Sequence, residues 1–405
     1  MDLLLLVVVF AVIVIALIFK KPLFVGIYGA MIVAILVYRL PLDVAGSAIL
    51  KGATSWSTVS TLLVFYAITY LQRLMNSKES FLQAKDALDN FFHNRRINAA
   101  VAPFVIGMLP AGTAVLLCGP ILRDSVGDSL EVDEQAAITS YFRHITEAFL
   151  PTYPHIFVML TLSAGYVTAG SYFLVMIPMV IVMFAAGWIV YLRKVPKGEF
   201  APREKSRLFY VGMFFKNTWQ VFLAVILIMA FKIPTYIAIG ISILLSIILV
   251  RYPGKDLLAY IKSAFDWKML LSNWACLTFK EVLIATGVIT KLPDYFSKLP
   301  LPTYICFMLI FFVAAAVATN NAIIPIFIPM VISMATPGQN MLPMIMLVMS
   351  ATYIAMQITP MHVCISICAD DYKIPLGRVI KKIVPMALID CAAAIVYYLI
   401  LVNVM

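Results

Sequence analysis

Apolar residues run along this chain in blocks of roughly 18, the length that spans a bilayer core, parted by short polar or proline-bearing joints. The first blocks cover 3–19, 22–38 and 58–75. Between them, 42–55 is too short and too polar to cross. Residues 79–94 put Phe81, Leu82, Leu88 and Phe91 on one side of a helix and charges on the other, the pattern of a helix lying in the membrane interface. Block 97–124 is interrupted by Leu109-Pro-Ala-Gly-Thr113. Each arm, about 13 residues at 1.5 Å per residue, reaches only about 20 Å, short of a ~30 Å hydrocarbon core. Such arms make either one kinked span or a re-entrant hairpin.

The block at 141–160, YFRHITEAFLPTYPHIFVML, carries Arg143, His144, Glu147 and His155 inside apolar sequence and is broken by Pro151 and Pro154. A charge at the centre of a membrane helix costs roughly 2.5–3.5 kcal/mol on the insertion scale, so these residues point to function. Prolines remove helix N–H donors and free carbonyls for other partners. The stretch MQITPMHVCISIC at 356–368 repeats the break: Thr152 and His155 are answered by Thr359 and His362.

Other landmarks recur as well. Lys20-Lys-Pro22 and Arg39-Leu-Pro41 reappear 212 positions on as Lys232-Ile-Pro234 and Arg251-Tyr-Pro253, while Lys51 and Trp56 reappear as Lys262 and Trp267. The tip at 109–113 corresponds to the neighbourhood of 317–321. The chain therefore reads as two copies of one unit, 1–206 and 207–405. Hairpins are expected at about 97–124 and 302–331, and broken helices at about 135–169 and 341–372. Composition agrees: 63% of residues are hydrophobic, 12% are charged, and the net charge is +10. The basic excess fits cytoplasmic loops better than nucleic acid. Counting 97–124 as a hairpin puts the great majority of the 30 Lys and Arg residues on one face. Each copy then crosses five times, so the second is inverted relative to the first. The expected fold is all-α and polytopic, with both termini outside, and this plan characterises secondary transporters. The block at 3–19 has Lys20 and Lys21 after it rather than before, which suits a retained span rather than a signal peptide.

The chemistry concentrates at the breaks. The tips offer Ala111, Gly112 and Thr113 in one copy and Thr319, Asn320 and Asn321 in the other. Helix starts there face an anion with N–H groups, and oxygens at the same places suit Na⁺. The Na⁺ candidates are Ala111, Gly112, Thr113, Pro151 and Thr152 on one side, and Thr319, Asn320, Asn321 and Thr359 on the other. Simple packing kinks are the alternative. Arg143 and Glu147, four apart, with His144 three from Glu147, make a proton relay, or Arg143 is the counter-charge for an anionic substrate, or the two are an ion pair that locks the helix. Proton-coupling candidates are His144, Glu147 and Asp390. His155 and His362 read as substrate contacts or as hydrogen-bonded structural residues. Lys280-Glu281 and Asp370-Asp371 read as charges at span ends. The six cysteines lie in apolar segments without zinc-type spacing, and Cys364 and Cys368 read as packing. With no Walker loop or nucleophile elbow, neither ATP-driven transport nor hydrolysis is expected, and no cofactor beyond Na⁺ or H⁺ as coupling ion.

Two hairpins, two helix breaks and five-span inverted copies resemble the ion transporter superfamily, which includes divalent-anion/sodium symporters. Phe142-Arg-His144 with Pro151 to His155, and Thr359-Pro-Met-His-Val-Cys-Ile365 followed by Tyr372, are similar to a prokaryotic membrane family, domain of unknown function family 401. The resemblance implies a homodimer in the cytoplasmic membrane and an elevator-like transport unit. It makes 42–55 and 254–266 the arms that link this unit to a scaffold. The function expected is a secondary active transporter for a small anion such as a carboxylate. A cation/proton antiporter is the runner-up, and a channel or lipid-handling protein a more distant third.

Overall fold

The structure, a computed structural model, describes residues 2–19, 21–92, 94–108, 115–163, 165–197, 204–288, 291, 300–317, 320–335, 339–360 and 362–405. Every element of these residues is helical, as expected, and none is a strand. Prolines set the first joints. Helix α1 (Asp2–Ile18) gives way to α2 (Leu23–Val37) and α3 (Leu42–Thr54), and Pro22 and Pro41 sit at the two N-caps. In the second half α11 (Arg207–Met229) gives way to α12 (Thr235–Val250) and α13 (Gly254–Ser263), capped by Pro234 and Pro253. A proline cannot continue a preceding helix but is pre-set to start one. Arg39 and Arg251, 212 positions apart, both take left-handed backbone, with φ of 51° and 55°. That conformation ends a helix at once.

Next in the first half come α4 (Trp56–Asn76), α5 (Ser80–Phe92), α6 (Arg95–Gly107) and α7 (Val115–Val126). The arms α6 and α7 fold back on each other. Arg95, at the start of one, reaches the Asp124 carbonyl near the end of the other at 3.4 Å, and Ala102, Ile106, Cys118 and Ile121 pack between them. A single kinked rod would hold those ends apart. The tip lies outside the described residues. The order continues with α8 (Val132–His144), a 3₁₀ turn at Ile145–Ala148, α9 (Pro154–Leu162) and α10 (Ala169–Val190). The second half follows with α14 (Trp267–Ala285), α15 (Thr303–Val317), α16 (Asn320–Ile332), α17 (Leu342–Gln357), α18 (Val363–Asp371) and α19 (Leu376–Val404). Arms α15 and α16 also touch, with Phe311 and Phe327 rings 5.7 Å apart.

Packing between the halves is reciprocal. Helix α2 lies on α14 and α12 on α4; α3 lies on α14 and α13 on α4; α9 lies on α16 and α18 on α7; α8 lies on α19 and α17 on α10. Gly52 of α3 sits against the backbone of Thr278 in α14, where a Cβ would clash. Cross-half ion pairs add to this. Lys51 meets Glu281 at 2.9 Å, and Arg123 meets Asp371 at 2.9 Å. Glu281 and Asp371, read from sequence as charges at span ends, therefore join the two halves.

Helices α10, α11 and α19 are long and apolar enough to cross a membrane, and α2, α12, α15 and α17 are shorter apolar helices. Their outward faces are greasy: Leu36, Ile181, Ile248 and Leu388 are all exposed. Both broken helices, by contrast, are enclosed by protein, since nearly every residue of α8 and α17 is buried. An apolar rind around enclosed non-helical backbone is compatible with a membrane protein.

Candidate functional site

The first break is wider than its prolines alone dictate. Helix α8 stops at His144, seven residues before Pro151, and a 3₁₀ turn and a bend carry the chain to Pro154 at the start of α9. Tertiary bonds hold this path. The Tyr153 hydroxyl donates to the carbonyl of Gly107 at the end of α6, His155 Nε2 donates to the Glu147 carbonyl at 2.8 Å, and the Tyr172 hydroxyl donates to the Ala148 carbonyl at 2.6 Å. Gly107 is required here, because a Cβ would run into the carbonyl of Arg143.

Beside the break lies a cavity of about 150 Å³. Its walls bring together the first turns of three helices: Pro154 and His155 of α9, Asn321 of α16 and Cys364 of α18. Arg143, Glu147 and Tyr153 complete one side, and Thr69 and Gln72 of α4 the other. Helix N-termini carry free N–H groups and about half a positive charge each, so three of them converging make an anion-friendly space. Arg143 adds a full charge. It is 1% exposed, bonds Glu147 through Nη1, and holds the same nitrogen 3.9 Å from Cys364 Sγ. Arg143 is paired with Glu147 and also lines the cavity, a geometry that fits both of the sequence alternatives, counter-charge and locking pair.

The histidines are not solitary. His144 Nδ1 lies 2.5 Å from the Ser140 carbonyl, and a carbonyl only accepts, so Nδ1 carries a proton. The other ring nitrogen, Nε2, meets His362 Nε2 at 2.8 Å across the two halves, and Glu147 Oε1 is 3.9 Å from it. His155 faces the cavity.

A model of a family described as a protein of unknown function, DUF401, matches residues 3–401. The chain belongs to this family. No curated protein matches it.

The remaining candidates of this DUF401 chain scatter. Asn320, 8% exposed, donates to Met356 Sδ at 3.2 Å, and its Oδ1, like that of Asn321, has no hydrogen-bond partner among the described residues. Thr359 donates to the Ala316 carbonyl at the end of α15. Thr152 faces a separate space of about 20 Å³ between α4, α11 and α12, and its hydroxyl has no partner among the described residues. Asp390 is buried elsewhere, against Tyr141. Ala111, Gly112, Thr113 and Thr319, four of the nine Na⁺ candidates, lie outside the described residues. Pro151 is buried in the break.

Sequence reasoning missed Tyr153, Gln72 and Cys364 as cavity residues. Thr69 and Gln72, three apart in the apolar block 58–75, were the available signal. Cys364 could be placed only by the register of one half on the other. Its Sγ and the ring nitrogens of His144 and His362 lie within 4.8 Å of one another, a ligand set for a soft metal ion. Arg143 and the converging helix N-termini oppose a cation there, and the His–His hydrogen bond already uses both facing nitrogens.

Proposed function

We propose that this protein is a secondary active transporter for a small anion such as a carboxylate, coupled to Na⁺ or H⁺. One observation carries the reading: a buried arginine and three helix first turns converge on one small cavity. A guanidinium offers paired donors in a fixed plane, suited to a carboxylate or phosphate. Glu147 occupies that place as an internal substitute. An arriving anion competes with it for Arg143.

The reciprocal packing and the recurring order of elements support two inverted-topology repeats of five spans. On this reading hairpins and broken helices form the moving unit of an elevator-like cycle in a prokaryotic cytoplasmic membrane, in a homodimer with both termini outside. Cysteines placed at Lys197 and Lys255 should then react only from the cytoplasm. One at Lys298, outside the described residues, should react only from the other side. Labelling of all three from one face would refute the inversion.

The deciding experiment is uptake of carboxylates and phosphate into proteoliposomes under a Na⁺ or pH gradient. Wild-type protein should accumulate one of them, and Arg143→Ala should not. A cation/proton antiporter is the second reading, favoured by the buried acid Asp390, which has no cation beside it among the described residues. Na⁺-driven proton flux with no anion present would select it.

A further inference from the structure

Asp390 lies midway along α19 and is 1% exposed. The described groups that face it are Tyr141 of α8, Tyr353 of α17 and its own neighbour Cys391, with no cation among them. Helix α10 brings the Met183 carbonyl, which faces the Tyr141 hydroxyl. The acids of α18 sit at the other end of the contact, where Asp371 pairs with Arg123, about 20 Å along α19 at 1.5 Å per residue.

Hydrogen-bond accounting around this acid is decisive. The Tyr141 hydroxyl is 2.7 Å from Asp390 Oδ2 and 3.0 Å from the Met183 carbonyl. A carbonyl only accepts, and a phenol has one hydrogen. If Asp390 were ionised, Tyr141 would donate to Oδ2 and leave the Met183 carbonyl with its helix N–H alone. Oδ1, which has no hydrogen-bond partner among the described residues, would be a buried naked charge. With a proton on Oδ2 the line closes: Asp390 donates to Tyr141, and Tyr141 donates to Met183. Oδ1 is then an uncharged oxygen.

We propose that Asp390 is the binding site of the coupling proton, a role that rests on the reading of the chain as an ion-coupled transporter. On loading, the carboxylate takes a proton from water and the phenolic hydrogen swings from Oδ2 to the Met183 carbonyl; no other bond changes. On release, a bare carboxylate stands between α8, α10, α17 and α19 and must draw in water, so these helices close only with the proton aboard. The acid reaches both helix breaks. Tyr141 is two residues from Arg143, and its carbonyl accepts from Gln357 Nε2 at 3.3 Å, where Gln357 is the last residue of α17 before the second break. Gln357 also donates to the Tyr353 hydroxyl at 2.8 Å. Protonation at Asp390 and the posture of Arg143 are therefore mechanically linked through one turn of α8.

Infrared spectroscopy of the purified protein reads the acid without any substrate. Wild type should show the carbonyl stretch of a protonated carboxyl that Asp390→Asn lacks, and Tyr141→Phe, which removes its acceptor, should displace it. Asparagine keeps an N–H for Tyr141, so this variant retains the fold. In proteoliposomes, with labelled succinate and phosphate as probes, Asp390→Asn should exchange the anion down its own gradient and lose accumulation driven by a pH gradient. An acid band unchanged in Asp390→Asn overturns the proposal, as does accumulation that still follows the pH gradient. If neither probe enters wild-type vesicles, the anion reading fails, while the infrared result still decides the proton site.

Discussion

The two helix breaks share a plan and differ in chemistry. In each, a hydroxyl from the broken stretch donates to the carbonyl at the end of a hairpin arm: Tyr153 to Gly107 in the first half, Thr359 to Ala316 in the second. In each, a histidine opens the following half-helix. Yet the first break brings Arg143, His144 and Glu147, and the places 207 positions later hold Ser350, Ala351 and Ile354, all buried and uncharged. The break geometry is thus set by backbone accounting common to both halves. The charge is added to one alone, and the cavity of about 150 Å³ beside it draws Asn321 and Cys364 from the second half.

The largest effect should come from Arg143→Ala, which removes the only guanidinium of the cavity among the described residues and strands Glu147. Uptake should be abolished, and stability should fall by about 3–5 kcal/mol, the cost of breaking a buried pair. Adding Glu147→Gln should restore most of the stability and none of the uptake. If the double variant transports at the wild-type rate, the pair is a lock and nothing more. At the matching place Ser350→Ala should be close to silent, because the Ser350 hydroxyl reaches only Met346 Sδ, at 3.6 Å.

Next comes the arm that supports the break. Gly107→Val forces side-chain atoms into the Arg143 carbonyl, an overpacking worth about 1–3 kcal/mol, and should reduce uptake by displacing Arg143. The second arm already has a Cβ at Ala316, so Ala316→Gly should cost only the helical penalty of about 0.5–1 kcal/mol. Equal thermal shifts in the two variants would show that the arms are held at the same distance, against the comparison.

Much of this architecture was legible because its signals are local. Prolines at 22, 41, 234 and 253 end and start helices by covalent geometry, and the spacing of 212 between them is what points to two copies of one unit. Arm length and charge distribution pointed to a folded-back hairpin at 97–124, and the bond from Arg95 to Asp124 has that form. What stayed hidden depends on contacts distant in sequence. The end of α8 at His144 is fixed by the bonds of Tyr153, His155 and Tyr172, none of which has a periodic signature. The His144–His362 contact and the Arg123–Asp371 pair join residues more than 200 positions apart. The cavity itself exists only through the register of the second half on the first, which is why Cys364 read as packing.

The smallest effect is the sharpest test, because its sign should differ between equivalent residues. Thr152 and Thr359 stand 207 positions apart in the two breaks, and each is buried. Thr359 donates to the Ala316 carbonyl, so Thr359→Val leaves that carbonyl unsatisfied and should destabilise by about 1–3 kcal/mol. Thr152 has no hydroxyl partner among the described residues. Valine there has nearly the same shape and removes a polar group buried at a cost, so Thr152→Val should stabilise by up to about 1 kcal/mol. The space beside Thr152, about 20 Å³, has room for a single water or ion. A destabilised Thr152→Val would mean that this space is filled and that the hydroxyl holds its occupant. Loss of Na⁺ dependence in the same variant would name that occupant as the cation. Thermal unfolding of both variants, with and without Na⁺, separates a passive kink from an ion site at Thr152.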